Sequence, residues 1–144
     1  MIARRPATRA DLEFLYRLMR ESLGPYVVET YGPWDEAAQC ERFLRETLVE
    51  THEVVELGGE PVGCLCTSSW RDALKLHRVF LLPAAQGRGI GTQLVREVLA
   101  AGHATGRPVR LRVLRVNPAR RLYERLGFKV TSESATHFEM EHPA

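Results

Sequence analysis

The chain has 144 residues, a formal net charge of +2, 44% hydrophobic residues and 26% charged residues. These values are typical of one globular domain, and the absence of any run of about 18 apolar residues excludes a membrane-spanning helix. The arginines of residues 107–125 lack interleaved aromatic residues and the net charge is low, which argues against a nucleic-acid-binding protein.

Signals for export and for metal binding are both missing from the sequence. The first residues, MIARRPATRADLEF, contain no apolar signal-peptide core, so we expect a cytoplasmic protein. The three cysteines, Cys40, Cys64 and Cys66, show no C-x-x-C spacing, and the five histidines form no H-x-x-x-H pair. We therefore predict no metal site, and we expect Cys64 and Cys66 to be small core residues on one face of a strand.

The first third of the chain is predicted to form a strand and two helices. Residues 2–5 favour the strand, and Thr8 with Asp11 forms a helix-capping pattern. Gly24-Pro25 predicts the end of the first helix, with residues 27–34 in a loop. The first helix is expected to place its apolar residues at Leu12, Leu15, Tyr16 and Met19. The second, which begins near residues 34–35, is expected to place them at Ala37, Cys40, Leu44 and Leu48.

The middle of the chain is predicted to be a hairpin, a third strand and a helix. Residues 52–57 and 61–69 flank Gly58-Gly59, which is a strong hairpin signal. Residues 74–82 form the next strand, which Pro83 ends. The helix that follows carries apolar residues at steps of three and four, namely Ile90, Leu94, Val98 and Ala101.

The last third is predicted to add a strand, a short helix and two strands. Residues 109–116 alternate arginine with apolar residues for part of their length, which favours a strand with one packed face. Residues 117–128 form a helix with an Asn N-cap and a Gly stop, and strands follow near 128–133 and 136–141. The order β-α-α-β-β-β-α-β-α-β-β predicts an α/β fold in which helices flank a mixed sheet. Residues 74–116 are expected to form a right-handed crossover between parallel strands.

The sequence QGRGIGTQL, residues 86–94, places three glycines at alternate positions before a helix. Bare N–H groups and the helix dipole at such a turn favour a phosphate. The P-loop pattern is excluded because Gly91 is followed by Thr92 and Gln93, and the G-x-G-x-x-G dinucleotide pattern is excluded by the spacing. What remains is Gln86-x-x-Gly89-x-Gly91.

This pattern resembles the pyrophosphate-binding motif of the GNAT superfamily of acyl-CoA-dependent N-acetyltransferases. The segment FLLPAAQGRGIGTQLVREVL is similar to the strand, loop and helix at the centre of that family, and NPARRLYERLGF resembles its second core motif. The predicted element order also matches, so the resemblance spans nearly the whole chain. It implies one N-acetyltransferase domain over residues 1–144, with two splayed parallel strands, that transfers acetyl from acetyl-CoA to a primary amine by direct attack in a ternary complex.

The resemblance also implies which residues bind the cofactor. Backbone amides of residues 87–92 would hold the pyrophosphate, and the pantetheine arm would pair with residues 79–81 like an added strand. A backbone N–H near Leu81 would stabilise the thioester oxygen. Asn117 lies six residues before Tyr123, where many members have seven, so its role as a helix cap is favoured over direct binding. The complete predicted set is Val79, Phe80, Leu81, Gln86, Gly87, Arg88, Gly89, Ile90, Gly91, Thr92 and Asn117.

Tyr123 and His77 are the predicted catalytic residues. The resemblance implies that Tyr123 protonates the departing CoA thiolate, and a packing role for its ring is the alternative. His77 is the first candidate for the base because it titrates in the right range and is expected on the same strand face as Leu81. The alternative is a solvent-facing histidine.

The amine acceptor is expected to lie against the segment between the first two helices. The predicted acceptor residues are Glu29, Tyr31, Trp34 and Asp35, with a purely structural role for the two aromatic residues as the alternative. Glu29, Asp35 and Glu36 are further candidates for the base. The acceptor stays open, as does the oligomeric state, with a homodimer as one candidate. The alternative function is a non-catalytic acyl-CoA-binding or regulatory module.

Overall fold

Seven strands form one mixed sheet in a computed structural model that describes residues 2–144. The strands are β1 (Ile2–Pro6), β2 (His52–Leu57), β3 (Glu60–Trp70), β4 (Ala73–Leu81), β5 (Val109–Leu114), β6 (Lys129–Glu133) and β7 (His137–His142). Their order across the sheet is β1-β2-β3-β4-β5-β7-β6, and neighbouring strands are antiparallel except β4 and β5, which are parallel. The predicted α/β mixed sheet and its parallel crossover are therefore confirmed.

Four α-helices pack on the sheet, namely α1 (Leu12–Tyr31), α2 (Glu36–Glu46), α3 (Ile90–Ala104) and α4 (Ala119–Arg125). The sheet separates two hydrophobic clusters, because successive strand residues point to opposite faces. Val55 and Leu65 accordingly pack with α3, whereas Val54 and Cys64 pack with α1 and α2. No helix within residues 2–144 combines the length and apolar content needed to cross a bilayer.

The prediction that Gly24-Pro25 ends the first helix is wrong. Helix α1 continues through Pro25 to Tyr31, so most of the predicted loop at residues 27–34 is helical. A proline inside a helix removes one backbone hydrogen bond and costs about 3 kcal/mol. The turns after Pro25 make a hydrogen bond of their own, from the Thr30 hydroxyl to the Tyr26 carbonyl at 2.8 Å. The helix ends instead at Gly32, whose φ is 101°.

The predicted apolar stripe of the second helix is partly wrong. Phe43 is the buried residue of α2 and Cys40 is partly buried, whereas Leu44 and Leu48 are exposed. The Asp35 side chain accepts the Ala38 N–H at 3.1 Å and sets where α2 begins. This start turns Phe43 towards α1.

The capping pattern at Thr8 and Asp11 is confirmed, and it is joined to β1 by an ion pair. Asp11 accepts the Thr8 backbone N–H at 2.8 Å and two Arg5 guanidinium N–H groups at 2.9 Å each. Hydrogen bonding from Arg5 is the main cause that lowers the pKa of Asp11 to about 2. The interaction ties the first strand to the start of α1.

We expect Asp11→Asn to lower the free energy of unfolding at neutral pH by about 1–2 kcal/mol, because a charge-assisted pair is lost. The folded-state pKa of Asp11 is below its unfolded value, so this stabilisation is present above about pH 4 and is lost as the pH falls through about 2. Denaturant unfolding of both proteins should show the difference at neutral pH and its disappearance near pH 2. Equal stabilities at neutral pH would contradict the assignment.

Strand β4 contains a bulge at His77, and beyond it β4 and β5 separate. Cys66 is opposite Arg78 but Thr67 is opposite Leu76, so His77 is the extra residue. Pairing between β4 and β5 is confined to Leu74 and Lys75 of β4. The rest of that β4 edge therefore faces a gap instead of a strand.

Candidate active site

Backbone groups of Val79 and Leu81 point into the gap between β4 and β5. On the other edge of β4, the Leu82 N–H donates to the Val62 carbonyl at 2.8 Å. Hydrogen-bonded and non-hydrogen-bonded pairs alternate along antiparallel strands, so Phe80 and Leu82 direct their backbone groups at β3. Val79 and Leu81 then direct theirs away from β3. The gap is lined by strand edge without a partner strand.

The glycine-rich turn joins this edge to the start of α3. Gln86 donates from Nε2 to the Leu81 carbonyl at 3.0 Å, which leaves the Leu81 N–H as the strand's last group facing the gap. Gly87 and Gly89 have φ values of 74° and 80°, where a β-carbon would be strained. The first turn of α3, residues 90–92, has backbone N–H groups without helical carbonyl partners. This turn is suited to an anion.

A large groove of about 690 Å³ runs from this turn along the gap. Such a volume is in the range of small-molecule and cofactor sites. One wall comes from β4 and the glycine turn, another from α4, and a third from α1. Ten of the cofactor-binding and catalytic residues predicted from the sequence line this groove. They are Val79, Phe80, Leu81, Gln86, Gly87, Gly89, Gly91, Thr92, Asn117 and Tyr123.

Two predicted cofactor residues, Arg88 and Ile90, are placed differently. Arg88 is exposed and is not among the residues that line the large groove, and the Ile90 side chain is buried in the core with α3. Only the backbone of Ile90 faces the turn. Asn117 accepts the Ala119 N–H at 2.9 Å, as expected for a helix cap.

A small cavity of about 250 Å³ opens on the other side of the gap. It meets the large groove at five residues that line both spaces, namely Leu23, Val79, Phe80, Asn117 and Tyr123. A ligand in one space and a ligand in the other would therefore come together beside β4 and Tyr123.

Tyr123 lies at this junction. Its ring is 8% exposed and packs edge-to-face on Phe128 with a centroid distance of 5.7 Å. Burial raises the pKa of Tyr123 to about 12, and its hydroxyl has no hydrogen-bond partner among residues 2–144. The phenol is therefore protonated at neutral pH and has a hydrogen available for a ligand.

His77 is exposed where it lines the small cavity, and the prediction that it shares a strand face with Leu81 is wrong. The bulge breaks the alternation of β4, so Leu81 packs with the same cluster as Leu76. The His77 Nε2 lies 2.7 Å from the Ser68 Oγ. Partial desolvation of the ring, followed by the nearby charges of Lys75 and Arg78, lowers the pKa of His77. The neutral imidazole is favoured at neutral pH.

The predicted acceptor residues are only partly brought together. Tyr31 lines the small cavity, whereas Glu29, Trp34 and Asp35 line neither space. Glu29 is exposed on α1, and Asp35 caps α2. The Glu36 carboxylate accepts a hydrogen bond from Trp34 Nε1 at 2.6 Å and another from the Tyr16 hydroxyl. These last contacts hold α1 to α2.

Residues of α1 that the sequence analysis did not select form one wall of the large groove. They include Ser22, whose buried hydroxyl oxygen has no partner among residues 2–144. Leu23 and Val27 continue the helical spacing of Leu15 and Met19, and this was the signal for a longer helix.

Comparison with known proteins identifies the family. A family model described as the acetyltransferase (GNAT) domain matches residues 48–130, which is more than half of the chain and includes both core motifs. The chain belongs to the GNAT acetyltransferase family. The predicted resemblance is therefore confirmed.

A relative with a similar sequence supports this assignment. An uncharacterized N-acetyltransferase from Methanocaldococcus jannaschii is 36% identical over 85 residues, which cover 53% of this chain and 38% of that protein. The match therefore spans well under half of this relative.

Solved structures of two acetyltransferases share the fold of this chain. The PaiA N-acetyltransferase from Thermoplasma acidophilum, in complex with coenzyme A, superposes with a TM-score of 0.80 at 24% identity over 100% of this chain and 99% of its own. An acetyltransferase from Thermus thermophilus gives 0.78 at 23% identity, over 100% and 97%.

Proposed function

We propose that this GNAT protein transfers an acetyl group from acetyl-CoA to a primary amine by direct attack, with residues 1–144 acting as one domain. The observation that carries the proposal is the junction at Tyr123 between two spaces. One space is long and begins at a helix N-terminus suited to phosphate, and the other is small and suited to an acceptor. Acetyl-CoA supplies an activated thioester carbonyl when bound.

The chain offers a continuous set of groups for the cofactor. The N–H groups of the first turn of α3 would hold the pyrophosphate, assisted by the helix dipole. The backbone edge at Val79 and Leu81 would pair with the amides of the pantetheine arm. The Leu81 carbonyl already accepts a hydrogen bond from Gln86, and the Leu81 N–H would donate to the thioester oxygen.

Two side chains would move the protons. The acceptor ammonium must lose a proton before its nitrogen forms the new C–N bond, and neutral His77 would accept it at the imidazole. When the C–S bond breaks, the electron pair stays on sulfur, and Tyr123 would donate its hydroxyl proton to that thiolate. The nitrogen would lose a second proton as the amide forms, and this proton would restore the Tyr123 hydroxyl, so the products are an amide and a free thiol.

The proposal is tested by titrating CoA into the protein and by measuring thiol release with a panel of amines. CoA binding with turnover supports the enzyme. CoA binding without turnover on any amine would favour the non-catalytic acyl-CoA-binding module.

We expect His77→Gln to remove the acidic limb of the kcat/KM profile. Because the pKa of His77 is lowered, the wild-type rate should fall only as the pH drops through a value below that of ordinary histidine. The matched control is His137→Gln, since His137 also lines the small cavity and has a pKa lowered by burial. An acidic limb that survives in His77→Gln and disappears in His137→Gln would transfer the base role to His137.

A further inference from the structure

Basic side chains line the small cavity. None of the side chains that line it is an Asp or Glu, whereas it is lined by Arg78 and Arg112 and by the imidazoles of His77 and His137. The charge of Arg112 is balanced by Glu139, with Nε and Oε2 2.6 Å apart. The charge of the cavity wall therefore depends on whether Arg78, the other arginine of this lining, also has a carboxylate partner.

Arg78 is held in place by neutral groups. Its Nη1 donates to His52 Nε2 at 3.1 Å, and its guanidinium carbon lies 5.0 Å from the centroid of the Phe43 ring. The His52 Nδ1 lies 2.9 Å from the Leu48 carbonyl, and burial lowers the pKa of His52, so Nδ1 carries the hydrogen and Nε2 accepts. Arg78 thus has a fixed position and no carboxylate partner within residues 2–144.

A fixed, uncompensated arginine at a cavity wall fits an anion. Its one hydrogen bond to His52 uses one of its five N–H donors. Guanidinium groups bind carboxylates and phosphates with paired, charge-assisted hydrogen bonds. A second cationic group on a substrate would instead be repelled.

We infer that the acceptor is an amine that also carries a carboxylate or phosphate group, and that Arg78 binds this anion in the small cavity. The inference rests on the proposed function, because it places the acceptor opposite the CoA groove. It assigns Arg78 a role in acceptor specificity. Diamines and other acceptors with a second cationic group are disfavoured.

The test compares amines in matched pairs at one pH and ionic strength. The pairs are β-alanine with β-alaninamide and phosphoethanolamine with ethanolamine, and putrescine is the dicationic probe. We expect at least one anionic member to have a kcat/KM roughly tenfold to a hundredfold above its neutral partner, because a hydrogen bond to a charged group contributes about 1.5–3 kcal/mol. The pair with the larger ratio distinguishes a carboxylate from a phosphate.

Variants assign the preference to Arg78. Arg78→Gln should remove it, Arg78→Lys should retain part of it, and the control Arg42→Gln, at an exposed arginine of α2, should keep all of it. CoA affinity should be unchanged in each, which also shows that the variants fold. Calorimetric titration of the CoA-saturated proteins with the same amines gives a second readout that does not require turnover.

The outcomes separate this inference from the proposed function. Absence of CoA binding would overturn the proposed function. Equal or faster turnover of neutral amines or putrescine would overturn only the anionic acceptor, as would an anion preference that survives in Arg78→Gln. If the CoA-saturated wild type neither binds nor acetylates either anionic amine, the inference is also wrong.

Discussion

Gly91→Val is expected to weaken CoA binding by roughly tenfold to a hundredfold, since overpacking a fitted site costs about 1–3 kcal/mol. Gly91 lies in the first turn of α3, and a β-carbon there would sit 3.8 Å from Leu81 Cδ1 and 3.9 Å from Leu122 Cδ2. Both leucines line the large groove, so the added methyl groups would occupy space beside the proposed ligand. Isothermal titration with CoA measures the loss.

The fold should tolerate this substitution. The β-carbon distances are ordinary contacts, and valine in place of glycine within a helix changes its stability by less than about 1 kcal/mol. Gly89 would be a poorer choice, because its φ of 80° would add backbone strain. The control is Ala101→Val, because Ala101 is exposed on the same helix and does not lie on its buried face as the spacing had predicted. If Gly91→Val binds CoA as tightly as Ala101→Val does, the first turn of α3 does not contact the cofactor.

Tyr123→Phe is expected to lower kcat by about tenfold or more, while CoA affinity and thermal stability change little. General acid catalysis typically contributes about 10²–10⁴-fold, and water can replace part of it. The Tyr123 hydroxyl has no hydrogen-bond partner within residues 2–144, and the ring keeps its contact with Phe128. Steady-state kinetics combined with CoA titration of the same protein measure the effect.

Tyr16→Phe is the matched control for this loss. Tyr16 is equally buried, but its hydroxyl donates to Glu36 at 2.8 Å in the contact between α1 and α2. Removing that hydroxyl should reduce stability and leave kcat unchanged. The two variants thus separate a chemical role from a packing role. Full kcat in Tyr123→Phe would make Tyr123 a packing residue.

Local sequence was sufficient where neighbours along the chain determine the structure. The hairpin at Gly58-Gly59, the capping pattern at Thr8 and the glycine-rich turn at residues 86–91 each depend on backbone preferences within a few residues. Apolar periodicity also predicted α3 and the strands, and hence the order of elements in the mixed sheet. The family resemblance rested on the same short segments.

The tertiary structure alone decided the features that depend on distant contacts. Helix α1 runs through Pro25 against a local helix-ending signal, so Pro25 and Tyr26 extend a wall of the large groove and Tyr31 reaches the small cavity. The bulge at His77 arises from the register between β3 and β4, so strand alternation could not show which way His77 faces. Likewise, whether an arginine is paired depends on strands far apart in the sequence. Arg112 meets Glu139 across β5 and β7, whereas Arg78 meets neutral His52, and only the folded chain distinguishes the two.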